Sequence, residues 1–156
     1  MIMAVFVTVG TTSFDELIEE VNKPRFHKAL YNLGYRRIFI QYGTGTTEPL
    51  VQGSLLDIVA FRFSSDLESI FSDSALVISH GGAGTCIEAL SPPGKRKLII
   101  VVNEKLMNNH QEELAATMYE ERHAFVSRVN DLFDFISTGH VNYFPKCKVS
   151  CIDCSL

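Results

Sequence analysis

The sequence predicts an α/β domain built on an open parallel sheet, and three observations carry the prediction. Short apolar runs rich in β-branched residues alternate along the 156 residues with segments of helical period. These runs are apolar throughout rather than at every second position, as strands covered on both faces require. Most of them end at glycine or small polar residues that open a crossover. Crossovers between parallel neighbours are right-handed, so the expected architecture is a Rossmann-like sheet. Its ligand crevice should lie beyond the carboxyl ends of the strands.

Val5-Phe6-Val7-Thr8-Val9 reads as the first strand. Gly10-Thr11-Thr12 turns it into a helix beginning near Ser13. There Ser13 and Glu16 have capping-box spacing, and Phe14, Leu17, Ile18 and Val21 recur at helical intervals. Pro24 to Leu33 is a second helix, with Gly34 as its C-terminal stop. Arg36 to Gln41 is strand two, followed by a polar loop from Tyr42 to Thr46. Asp57 to Phe63 is strand three, Asp66 to Phe71 a short helix, and Ala75 to Ser79 strand four. A helix is expected over Thr85 to Leu90, strand five over Lys97 to Val102, a long helix over Asn109 to Glu121, and a short sixth strand over Ala124 to Val126. The loops starting at Gly10, Gly43, His80 and Asn103 all follow strands and should share one crevice. From about Ser137 the period is broken by Gly139, Pro145 and scattered cysteines. The expected organisation is one ligand-binding domain over residues 1–130. A tail over 131–156 would dock back on it or onto a partner.

The composition narrows the function classes. A hydrophobic fraction of 46% supports a full core, and 21% charged residues is ordinary. A net charge of −4 and a pI near 5.7 argue against nucleic-acid binding. Four cysteines make no disulfide scaffold at this length, and Cys86 is expected to be a small buried thiol. Cys147, Cys151 and Cys154 with His140 fit no standard metal site, so no metal is expected. No segment approaches the ~20 apolar residues that span a bilayer. The start, Met1 to Val7, lacks the basic region of a signal peptide. These features predict a cytoplasmic chain.

The chemistry concentrates in Leu76-Val77-Ile78-Ser79-His80-Gly81-Gly82-Ala83-Gly84-Thr85-Cys86-Ile87-Glu88. A strand, a glycine turn and a helix start in that order place unpaired backbone N–H groups and the positive end of a helix dipole at one point. Glycines there let a phosphate approach the backbone. The motif therefore suggests a nucleotide or a sugar phosphate. His80 either donates a hydrogen bond to a phosphate or leaving group, or fixes the turn. Glu88 either accepts from a ribose diol or closes a capping box with Thr85. Gly10-Thr11-Thr12 offers similar groups at a second helix start, or a simple cap. Asn109-His110-Gln111 follows strand five with amides and an imidazole suited to sugar hydroxyls, and Asn109 is also placed to cap a helix with Glu112.

Three motifs in one order carry a resemblance. They are Val5 to Phe14, Val77 to Thr85, and Val102-Asn103-Glu104-Lys105-Leu106-Met107-Asn108-Asn109-His110-Gln111. From about Val5 to about Val126 the chain resembles the soluble subunits of eukaryotic UDP-GlcNAc transferases that add the second GlcNAc to dolichol diphosphate-GlcNAc. These carry a glycosyltransferase family 28 C-terminal domain, whose wider relatives are the bacterial peptidoglycan GlcNAc transferases. The resemblance implies the donor-binding half of a two-domain GT-B glycosyltransferase, with UDP-GlcNAc as donor, inversion at the anomeric carbon and no cofactor. It implies a membrane-anchored subunit that binds the lipid-linked GlcNAc acceptor, supplies the base and recruits this chain to the cytosolic face of the endoplasmic reticulum. It assigns donor binding to Gly10, Thr11, Thr12, His80, Gly81, Gly82, Ala83, Gly84, Thr85, Glu88, Asn109, His110 and Gln111. Phe63 and Ser64 fall where backbone groups read uracil. No catalytic residue is identified. The turn Ser91-Pro92-Pro93-Gly94-Lys95-Arg96-Lys97 departs from the family, being longer than its usual Gly-Lys-Pro and lacking the last proline.

Two other functions compete. A non-catalytic nucleotide-sugar-binding module has the same motifs. A nicotinamide-dependent oxidoreductase has a Gly82-x-Gly84 turn with Glu104 about twenty residues on, but Ile87 occupies the place of the third glycine.

Overall fold

The structure, a computed structural model, describes residues 3–92, 94–105, 109–121 and 123–142, with the backbone alone for 109–112. Six parallel strands form one sheet in the order β3-β2-β1-β4-β5-β6. They are β1 (Ala4–Thr8), β2 (Arg37–Gln41), β3 (Asp57–Phe61), β4 (Ser74–Ser79), β5 (Lys97–Val102) and β6 (Phe125–Arg128). The helices are α1 (Asp15–Val21), α2 (Pro24–Asn32), α3 (Leu67–Asp73), α4 (Ala83–Ala89), α5 (Asn109–Glu120) and α6 (Val129–Ser137), and a 3-10 turn spans His140–Asn142.

Every residue of β1 is buried, and side chains alternate between two cores. On one face Val5 and Val7 join Ile38, Ile40, Leu76 and Ile78 beneath α1, α2 and α6. On the other, Phe6 joins Phe39, Val77, Leu98 and Ile100 beneath Phe71 of α3, Cys86 of α4 and Ala115 of α5. A fully buried strand needs both faces apolar, which is why the runs lack polar alternation. Burial pushes the Cys86 thiol up to about 11, as expected of an inert core cysteine. The chain winds outward from β1 to β3 and then returns to the other side of β1 through β4. The order therefore reverses between β1 and β4, and the loops after these two strands flank the switch point.

Several boundaries differ from the sequence reading, each for a local reason. The Ser13–Glu16 capping box does not form. The N-cap of α1 is Phe14, drawn into the core, and no side chain bonds to the first turn. β3 ends at Phe61 because the next side chain, Arg62, turns to donate from Nη1 to the Gly43 and Gly45 carbonyls, both at 2.9 Å. α4 begins at Ala83, two residues before the expected start. Residues 131–142 dock back on the domain. Leu132, Ile136 and Val141 are fully buried in the core shared with β1, and Arg25 of α2 lies 4.3 Å over the Phe133 ring. Phe135 meets Phe125 edge-on at 4.6 Å between centroids. Tyr143, Phe144, Cys147, Cys151 and Cys154 lie outside the described residues.

Candidate functional site

The β1 and β4 loops start alike. Thr8 Oγ1 accepts from Gly10 N–H at 2.9 Å, and Ser79 Oγ accepts from Gly81 N–H at 3.1 Å. Both glycines have positive φ, +63° and +93°, which a side chain would resist. His80 ties the two loops together. Its backbone N–H donates to the Thr8 carbonyl at 3.2 Å, and its ring Nδ1 lies 3.3 Å from the same oxygen. A carbonyl only accepts, so Nδ1 carries the proton and Nε2 a lone pair while the ring is neutral. Burial pushes the imidazole below its ordinary value and keeps it neutral. Of the two roles the sequence allowed His80, the turn-fixing bond is the one seen.

The glycines of the β4 loop have three different tasks. Gly81 takes the positive φ. Gly82 is the N-cap of α4 at φ −65° and ψ 131°, open to any residue, but a Cβ there would come within 2.8 Å of His80 Cε1. Gly84, in the first turn, has open space where its Cβ would be. Ala83 and Gly84 are exposed and Thr85 is half-buried. The first turn of α4 holds no acidic residue, and no side chain caps it. This point therefore combines uncapped donors with open space and no opposing charge.

In the β1 loop it is Thr12 that turns its donors inward. Thr12 bonds to the Val9 carbonyl through both N–H, at 3.3 Å, and hydroxyl, at 2.9 Å. Thr11 is exposed and has no partner among the described residues. The first turn of α1 carries Asp15 and Glu16. Asp15 accepts from Thr46 N–H and hydroxyl, bonds that hold its carboxyl below the usual range and fasten the β2 loop to α1. Glu16 pairs with Lys105 of the β5 loop. Three crevice loops are thus joined, and two carboxylates stand where an anion would meet α1.

Glu88 is exposed on α4, about 8 Å along the axis from Ala83 at 1.5 Å per residue. Because Thr85 is inside the helix, the Thr85–Glu88 capping box does not exist, and Glu88 makes no side-chain hydrogen bond among the described residues. It lines a pocket of about 290 Å³ with Glu68, Ser72 and Lys95. Sequence reasoning missed Arg96, whose only signal was a charge just before a buried strand. Arg96 is nearly buried and donates from Nε to the Phe71 carbonyl at 2.5 Å. Its Nη1 donates to the Ala89 and Ser91 carbonyls at 3.3 and 2.6 Å. It satisfies the last carbonyls of α4 and ties them to α3.

Asn109, His110 and Gln111 form the backbone of the first turn of α5, beyond the carboxyl end of β5; their side chains lie outside the described residues. Glu104, the acid of the oxidoreductase reading, pairs with Arg128 at 3.3 Å. Phe63 is exposed, and Ser64 Oγ accepts from Asp66 N–H at 3.1 Å beside the start of α3. Among the described residues no helix is long and apolar enough to cross a membrane.

The model of the glycosyltransferase family 28 C-terminal domain matches residues 4–133, from the first residue of β1 into α6. The chain belongs to this family. Its family 28 relatives include the UDP-N-acetylglucosamine transferase subunit ALG13 of Homo sapiens, 47% identical over 124 residues. That match covers 78% of this chain but 11% of the human protein, so the chain spans about a tenth of that relative's length. The subunit of the same name from Yarrowia lipolytica is 38% identical over 138 residues, covering 86% of this chain and 69% of the relative. In fold, the chain resembles an NMR solution structure of ALG13 at a TM-score of 0.70 and 24% identity, covering 94% of this chain and 89% of that one. It also resembles Acinetobacter baumannii MurG at a TM-score of 0.64 and 18% identity, covering 93% and 44%. The six-stranded parallel sheet is that of the family 28 domain, and the expected fold class holds.

Proposed function

We propose that this chain is the donor-binding subunit of a UDP-N-acetylglucosamine transferase acting in N-glycan precursor assembly. The observation that carries the reading is the first turn of α4, in a family 28 domain: it is uncapped, free of acidic residues and open at Gly84. The diphosphate of UDP-GlcNAc would lie against this turn and the β4 loop. Backbone N–H groups there would stabilise the charge that builds on departing UDP. Glu88, one and a half turns further on, suits the ribose diol. His110 and Gln111 would read the GlcNAc hydroxyls.

The acceptor in this reading is dolichol diphosphate-GlcNAc, held by a membrane-anchored subunit that recruits the chain to the cytosolic face of the endoplasmic reticulum. The acceptor hydroxyl attacks the anomeric carbon with inversion, its proton passing to a base on that subunit. One Rossmann-like domain supplies one wall of a cleft, and transfer needs the acceptor held against the donor. The purified chain should therefore bind UDP-GlcNAc and transfer nothing. Adding the membrane subunit should start transfer to the lipid acceptor. Calorimetric titration with UDP-GlcNAc and NAD, followed by a transfer assay with and without the partner, tests this. Binding without turnover in the complex would leave a non-catalytic module; heat from NAD alone would revive the oxidoreductase reading.

A further inference from the structure

We propose that His80 is a positioning residue whose ring sets the spacing between the β1 and β4 turns, and that Gly82 lacks a side chain to admit this ring rather than a phosphate. The inference rests on the donor-site reading above and deepens it. At φ −65° and ψ 131° the Gly82 backbone has no need of glycine. What a side chain would meet is imidazole: a Cβ would lie 2.8 Å from Cε1 and 2.9 Å from Nε2 of His80. The same ring edge faces Gly10 on the other strand, where a Cβ would lie 3.0 Å from Cε1. The adjoining Nδ1–H ties the ring to β1 at the Thr8 carbonyl, across 72 positions of sequence. The imidazole is thus a spacer between two glycines, pinned to one strand and borne on the other. Gly84 has no such neighbour, which leaves it as the glycine that serves the ligand.

The pair makes a double-mutant cycle possible, read by UDP titration and by thermal melting without ligand. In His80→Asn the amide reproduces the Nδ1 donor but lacks the Cε1–Nε2 edge. In His80→Gln a donor stands near the Nε2 position and the bulk remains. Gly82→Ala should lower UDP affinity by roughly tenfold, as an overpacked contact does. His80→Asn should lower it by about threefold, losing ring packing and keeping a neutral hydrogen bond. The Gly82→Ala/His80→Asn double variant should bind no more weakly than His80→Asn alone, while Gly82→Ala/His80→Gln stays as weak as Gly82→Ala. The melting temperatures should show the same rescue. Multiplying losses in the Asn cycle would overturn the proposal, because Gly82 would then serve the ligand directly. Full affinity in His80→Gln with strong loss in His80→Asn would overturn it too, placing Nε2 on the ligand. A wild-type chain with no UDP affinity would refute the donor site and the positioning role with it. The melting cycle would then judge the spacer contact by itself, rescue supporting it and additivity overturning it.

Discussion

The turn after β1 and the turn after β4 are built on one plan and put to different uses. Each begins with a hydroxyl residue accepting from a glycine N–H two positions on, and each of those glycines has positive φ. They part at the helix. The β1 turn bonds Thr12 back to Val9 and leads into Asp15 and Glu16, whereas the β4 turn leads into Ala83-Gly84-Thr85 with no acid; neither helix start has a side-chain cap. With both first turns uncapped, what sets them apart for an anion is the charge that stands beside the free donors.

The sharpest break in this contrast is Gly84→Val. Its φ is not in the left-handed region and its Cβ meets no protein atom, so the fold should tolerate the change. A branched side chain in the ligand's place should cost about 3 kcal/mol of binding, or roughly a hundredfold in UDP affinity. Calorimetry checks this beside a melting curve within a few degrees of wild type. Retained affinity would remove the ligand from α4.

Glu88→Gln should weaken UDP by about 1.5–3 kcal/mol, the worth of a charge-assisted hydrogen bond, and leave the melting temperature nearly unchanged. Glu88 makes no side-chain hydrogen bond among the described residues, and the charge it presents to Arg96 comes from an exposed carboxylate, where such attraction is worth little. An unchanged affinity with a lower melting temperature would make Glu88 structural.

A smaller effect concerns pH. His80 and His27 both sit below the ordinary histidine value of 6.5 because burial disfavours their charged forms. His27 holds Ser54 Oγ at 2.7 Å through Nδ1. With folded values depressed, the unfolded chain binds more protons as pH falls through 6.5. Their contribution is complete above that pH and is lost progressively below it. Melting temperature should fall from pH 7 to pH 5, with a shallower slope in His27→Gln. A flat wild-type profile would contradict the assignment. The least effect is expected from Thr11→Ala, about 0.5 kcal/mol or less in both stability and UDP binding, as for an uninvolved surface residue. A tenfold loss of UDP affinity would restore the β1 turn to the ligand site.

The strands and helix faces were legible because burial writes a period into the sequence. β1, β2, β4 and β5 lie where unbroken apolar runs placed them. Helix starts were less legible. Ser13 has the chemistry of a cap, but the core draws in Phe14 and sets the start of α1 one residue later. α4 starts inside the glycine cluster because Gly82 supplies the extended cap and Ala83 and Gly84 continue as helix despite low glycine propensity. The glycine loop was visible as a motif, whereas the division of labour among Gly81, Gly82 and Gly84 depends on where the His80 ring sits. Arg96 was invisible, since its role is defined by carbonyls of Phe71, Ala89 and Ser91 that only folding brings together.

We propose that donor binding belongs to the β4 turn and α4 rather than to the β1 turn. Backbone amide shifts followed by NMR during titration with UDP-GlcNAc test it most directly. Saturable shifts should centre on Gly82 to Thr85 and extend to Glu88, with smaller changes at Gly10 to Thr12. Shifts centred on Gly10 to Thr12, or none anywhere at saturating UDP-GlcNAc, would contradict it.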